Sequence, residues 1–166
     1  MKKRLSHHEI IKALDLQPLP EEGGFFKRTF ESATKIEIFS EKARPASSSI
    51  YYLITADNFS ALHMLRVEET YHHYLGDSVD LFLIFQDGSS KISTLGKEIL
   101  LGERPQIHVP PDTWQGCRIK QKIGWSLLGT TVSPGFEFSD FKLGYRETLC
   151  NLYPSLSEQI IKHTRG

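Results

Sequence analysis

Three histidines and one phenol fall within the eleven residues from His63 to His73, with Glu69 between them: His63, Glu69, Tyr71, His72 and His73. Imidazole titrates nearest neutrality, so a partly desolvated histidine beside a carboxylate and a tyrosine can take or give a proton. The same nitrogen and oxygen donors suit a divalent transition ion. Which groups act together depends on where they point. Alternate residues of a strand share a face, so Ala61, His63, Leu65 and Val67 project together, and Leu62, Met64 and Arg66 project oppositely. A turn at Glu68 then feeds a second strand, where Glu69, Tyr71, His73 and Leu75 share a face and His72 takes the other. A bulge or strong twist would bring His72 inward. Spacing leaves the choice open, with at least one of the two adjacent histidines expected beside His63 and Glu69. A lone strand histidine is usually a hydrogen-bonded core residue; a cluster this dense points to function.

The elements that must position these groups read as short strands. Segments rich in Ile, Val, Tyr, Phe and Thr occupy 25–30, 49–55, 61–67, 70–75, 80–85, 91–95, 106–109, 114–119 and 125–132, separated by Asp, Asn, Gly and Pro. Asp87-Gly88 is a turn signal between two of them. Segments 49–55 and 80–85 are apolar on both faces, which places them inside a two-layer structure. Ser6-x-x-Glu9 and Ser155-x-x-Glu158 are capping boxes that open short helices at either end. The polar stretch 34–47 reads as a loop over a barrel mouth. Glu21-Glu22-Gly23-Gly24 reads as an acidic turn; it lacks the Lys-Ser/Thr pair of a phosphate loop. Trp114 is either a pocket wall or core, and Phe136-x-Phe138-x-x-Phe141 reads as core that closes the barrel or packs a dimer.

The 166 residues suffice for one buried core, and 20 basic against 20 acidic side chains leave no net charge to attract nucleic acid or anionic membrane. Lys2-Lys3-Arg4 is a short basic patch with no apolar run behind it, and Arg118, Lys120 and Lys122 form a charged turn. No stretch approaches the roughly 20 apolar residues that span a bilayer. Two isolated cysteines, Cys117 and Cys150, suit a reducing compartment, so a cytoplasmic protein is expected. Cys117 reads as a small apolar filler rather than a nucleophile.

With these segments in place, the chain resembles the cupin superfamily, and within it the group called cupin_5. The resemblance runs from about Leu16 to Tyr153. It rests on Pro20–Phe30, Ser49–Ile54, Phe59–His63, Glu69–Asp77, Val109-Pro110-Pro111-Asp112-Thr113-Trp114-Gln115 and Val132–Phe141. It implies an all-β double-stranded β-helix, a jelly-roll barrel with a ligand pocket inside. The expectation is one cupin domain over 1–166, with a barrel core at about 24–145 and terminal helices at about 7–16 and 156–164. Pairing of such small barrels through added strands implies a homodimer.

The resemblance also implies a metal site, and two positions depart from it. Leu65 stands where a second histidine is usual and Gln115 where a third is. A divalent transition metal would be left His63, Glu69, His72 or His73, and Gln115, so no metal or other cofactor is favoured. The step Leu62-His63 resembles that of the metal-free deoxysugar-nucleotide epimerases, which implies His63 as base and Tyr71 or Tyr52 as acid. Arg28 and Arg66 would then anchor a phosphate or carboxylate. The family pattern adds Glu22 and Arg28 as pocket residues. The expected function is binding, and conversion if any, of a small polar metabolite: a sugar, nucleotide-sugar or organic acid. His63, Glu69, His72, His73 and Gln115 form the floor; Tyr52, Tyr71, Arg28 and Trp114 form the walls. An isomerase or epimerase ranks ahead of a metal-dependent oxygenase or hydrolase.

Overall fold

The structure, a computed structural model, describes residues 5–38, 42–121 and 123–166. In chain order, the strands are β1 (Gln17–Pro18), β2 (Phe25–Glu31), β3 (Lys35–Ile36), β4 (Arg44–Pro45), β5 (Ser48–Thr55), β6 (Ser60–Leu65) and β7 (Glu68–Gly76). They continue with β8 (Val79–Ile84), β9 (Ser90–Leu95), β10 (Gln106–Val109), β11 (Thr113–Ile119), β12 (Trp125–Ser133) and β13 (Phe141–Leu143). Among the described residues, three α-helices accompany them: α1 (His7–Leu14), α2 (Arg146–Leu152) and α3 (Ser157–Lys162). All nine segments read as strands from composition are strands here, and the short β1, β3, β4 and β13 are additions.

The long strands form two antiparallel sheets. One runs β1-β2-β5-β12-β7-β10 and the other β13-β6-β11-β8-β9, with β3-β4 as a separate pair. The fold is all-β with short helices at both ends, a jelly-roll barrel. Between the sheets, Tyr52, Ile54, Tyr71 and Leu128 of the first meet Val79, Leu81, Leu83, Leu95, Cys117 and Ile119 of the second. Alternation then sends Leu53 outward to meet Ile10 and Leu16 beside α1. It likewise sends Leu62 and Phe82 outward, where Leu149 of α2 and Ile160 of α3 cover them. β5 and β8 are apolar on both faces for this reason: each is sandwiched between the barrel interior and a helix. Leu53, Leu62, Leu149 and Ile160 are fully buried, and each contributes roughly 2 kcal/mol by leaving water.

Ser6 and Glu9 form the reciprocal capping box that opens α1. Ser155 and Glu158 do not. Residues 154–156 make a 3-10 turn, α3 starts at Ser157, and Glu158 instead accepts a hydrogen bond from Lys162 Nζ at 2.7 Å. Pro154 sets that tighter turn ahead of the expected cap. The stretch 34–47 carries the small β3-β4 pair, Lys35 opposite Pro45. Residues 39–41, Lys122 and Lys2-Lys3-Arg4 lie outside the described residues.

Candidate functional site

The hydrocarbon core fills one part of the barrel, and a cavity of about 670 Å³ occupies another, lined from β2, β5, β6, β7, β12 and the segment 136–141. That volume is within the usual range for small-molecule sites. Phe26, Ile50, Leu65, Val132, Phe136 and Phe141 supply most of the wall, and Glu22, His63, Glu69 and Thr130 are polar groups among them.

His63 reaches the cavity from the middle of β6, where it pairs with Gln115 of β11 and Leu143 of β13. It is 2% exposed. Its Nδ1 donates to the Ala61 carbonyl oxygen at 2.8 Å, which fixes the proton on that nitrogen in the neutral ring. Nε2 therefore faces the cavity with its lone pair. The ring lies against Phe141, centroids 5.4 Å apart and planes 21° apart. Glu69 enters from β7, between Val132 of β12 and Val109 of β10. Glu22 enters from the turn between β1 and β2. His63 Nε2 lies 4.0 Å from Glu22 Oε2 and 4.0 Å from Glu69 Oε2. That spacing is beyond a hydrogen bond and within ion-pair contact once the ring is protonated.

Each carboxylate is held from behind. Gln115 Nε2 donates to Glu69 Oε2 at 2.9 Å, and Ser60 Oγ donates to Glu22 Oε1 at 2.8 Å. Burial pushes the Glu69 carboxyl up to about 7; His63 opposes that shift, Glu22 adds to it, and hydrogen bonds from Thr130 and Gln115 oppose it. The Glu22 turn is itself pinned. Tyr52 Oη donates to the Gly23 carbonyl at 2.9 Å, Ala61 N–H to the Glu22 carbonyl at 2.8 Å, and Arg165 Nη1 to the same oxygen at 2.7 Å. Gly23 has φ of 100°, and a side chain there would collide with the Arg165 guanidinium.

The structure thus brings His63, Glu69, Glu22 and Arg28 to the cavity and sets Gln115 immediately behind Glu69. Other expected residues lie elsewhere. Tyr52 and Tyr71 are 1% exposed and belong to the hydrocarbon core, where burial pushes both phenols well up. Neither is a cavity wall. His72 lies on the outer face of its sheet, 3.5 Å from Thr131 Oγ1 and stacked on Tyr74. His73 turns toward the Asp77 carbonyl, 3.2 Å away. Neither joins His63. His72 stays outward by alternation, because the irregularity in β7 falls after His73, with Leu128 opposite His73 and Leu127 opposite Leu75. It comes too late to turn His72 inward. Trp114 packs with Leu62 and Leu149 under α2, with Lys142 over its ring. Arg66 lies 3.9 Å from Asp140 and is not a lining residue.

Phe136, Phe138 and Phe141, expected as core, line the cavity instead. The buried ion pair of Arg44 with Asp140 ties their segment to β4. Sequence reasoning missed that pair, along with Ser60, Thr130 and Arg165; no motif joins residues 96 positions apart.

Comparison with known proteins follows this geometry. The family model for the cupin superfamily family Cupin_5 (DUF985) matches residues 8–144. The chain belongs to that family. Protein SO0799 from Shewanella oneidensis is 34% identical, with a TM-score of 0.89 over 98% of this chain and 99% of that one. A hypothetical protein from Leishmania major is 29% identical, with a TM-score of 0.92 over 98% of this chain and 100% of that one. A Bacillus subtilis oxalate decarboxylase described with Mn(II) centres shares the fold at 13% identity, with a TM-score of 0.54 over 90% of this chain and 38% of that one. No curated protein matches.

The cupin fold raises the question of a metal, and the donors present here do not fit one. Leu65 offers no ligand, Gln115 turns its amide nitrogen toward Glu69, and His72 is on the far face of the sheet. Among the described residues, no group of three or more His, Cys, Asp or Glu could hold a metal ion. Among the same residues, no helix is long and apolar enough to cross a membrane.

Proposed function

We propose that this cupin binds a small molecule in its barrel and moves a proton on it, with His63 as base and the acid form of Glu69 as its partner. The observation that carries this reading is the position of His63 Nε2, 4.0 Å from each of two carboxylates inside a cavity of ligand size. A carboxyl that titrates near neutrality supplies both protonation states at working pH. His63 Nε2 takes a proton from the substrate, and the electron pair of that bond shifts within the substrate. Protonated Glu69 gives its proton to another substrate atom, and an isomer leaves. Proton transfer from His63 to Glu69 resets the pair. Atoms and electrons balance with no co-reactant.

The test is exchange in heavy water. Metabolite pools incubated with the protein in D2O should gain one mass unit at a single compound. His63→Ala and Glu69→Gln should each slow that gain by about 100-fold or more while the fold survives. A compound that binds in the cavity yet never gains deuterium would leave a binding module and remove the catalytic reading.

A further inference from the structure

We propose that the ligand of this cavity is an organic cation, a flat apolar body bearing a protonated amine or amidine that seats between Glu22, His63 and Glu69. This deepens the preceding reading and rests on it. With Glu69 in its carboxylate form, the floor turns acceptors toward the cavity. His63 Nδ1 has committed its proton to Ala61, while Nε2, on a ring 2% exposed, has no hydrogen-bond partner among the described residues and looks into the cavity. Two carboxylate oxygens stand 4.0 Å from it. Two acceptors 4.0 Å apart are bridged by one donor nitrogen at about 2.9 Å from each, so such a nitrogen can join Nε2 to either carboxylate.

Charge at the lining points the same way. Glu21, Glu22 and Glu69 line the cavity. Arg28 lines it too, but its guanidinium is engaged with Glu31 at 2.8 Å. An anionic head would meet carboxylates at the floor and find the arginine already paired. The walls ask for hydrocarbon: Phe26, Ile50, Leu65, Val132 and Phe136 surround the space, and Phe141 stacks against the His63 ring to add a flat aromatic surface. Behind the floor, burial pushes the Tyr52, Tyr71 and Cys117 groups up, so none of them adds negative charge near neutrality.

The experiment titrates the full chain with benzamidine, benzylamine, neutral benzamide, benzoate, MnCl2 and ZnCl2, read by calorimetry and by the His63 ring signals in NMR. Benzamidine and benzylamine should move the His63 signals and bind at least tenfold more tightly than benzamide or benzoate. Glu22→Gln should weaken benzamidine at least tenfold. Without any substitution, benzamidine affinity should fall at least tenfold from pH 8 to pH 5 as Glu69 gains its proton, since the amidine stays charged throughout. Equal binding of benzamide, tighter binding of benzoate, a flat pH profile, or displacement of benzamidine by either metal ion would each overturn the organic cation. So would His63 signals that no amine moves. Deuterium exchange dependent on His63 would persist if only the ligand class is wrong, and would be absent if the proton-transfer reading itself fails.

Discussion

A carboxyl group inside a barrel stabilises the fold only while it is uncharged. Glu69 has an ordinary value of 4.5 in the open chain and about 7 in the folded protein. Between those values the native state holds more protons than the unfolded one, so stability falls as pH rises. The contribution is whole below pH 4.5 and is lost as pH passes 7; about 3 kcal/mol changes across that window. Urea denaturation at pH 5 and pH 8 should show this loss, and Glu69→Gln should flatten it. A wild-type stability that rises over the same interval would mean the carboxylate is better stabilised than its burial implies. The cysteines give a second contrast. Burial pushes the Cys117 thiol far up, whereas Cys150 is only partly covered. Iodoacetamide at pH 8 should label Cys150 and leave Cys117 intact until denaturant is added, as read by peptide mass spectrometry.

At the scale of elements, the site is assembled by parts that pin one another. The turn bearing Glu22 is short, and its conformation is imposed: Glu21 has φ of 63° and Gly23 of 100°. Arg165, just past α3, donates to the Glu21, Glu22 and Phe59 carbonyls at 3.1, 2.7 and 2.9 Å. The chain's far end therefore holds a residue of the floor. Arg165→Met should cost about 1 kcal/mol in chemical denaturation and should weaken whatever Glu22 binds by more than that loss predicts. The opposite wall depends on Arg44 and Asp140, both buried, which tie β4 to the segment carrying Phe136, Phe138 and Phe141. Asp140→Ala strips a buried guanidinium of its carboxylate and should cost about 3 kcal/mol or more in the same measurement. A loss below 1 kcal/mol would show that the pair is solvated.

Across the whole molecule, the pairings join distant sequence. Ser48 lies opposite Val132, and Thr55 opposite Trp125. Closing such loops before any contact rewards them makes folding slow, in the millisecond-to-second range for all-β domains. Stopped-flow refolding followed by Trp114 and Trp125 fluorescence should fall in that range, and microsecond refolding would contradict the topology. The same architecture explains the cavity. Two sheets meet in dense hydrocarbon around Tyr71, Leu81 and Leu128, while toward His63 the wall is completed by the turn at Glu22 and the phenylalanine segment. A barrel walled partly by loops keeps a space that two strands alone would have filled.

The strand pattern, the helix cap at Ser6, the two-sided burial of β5 and β8 and the pairing of His63 with Glu69 in one interior were legible in order and composition. Alternation along a strand is a local rule, and hydrophobic side chains obey it. Alternation put His72 on the outer face, but local rules could not say that no earlier bulge would reverse it, or that His73 would turn to the Asp77 carbonyl. Nor could they bring Glu22 to within 4.0 Å of His63 or show that Tyr52 and Tyr71 are core. Those placements depend on which strands become neighbours, and that is decided by long-range packing, where residues far apart in the chain compete for one enclosed volume.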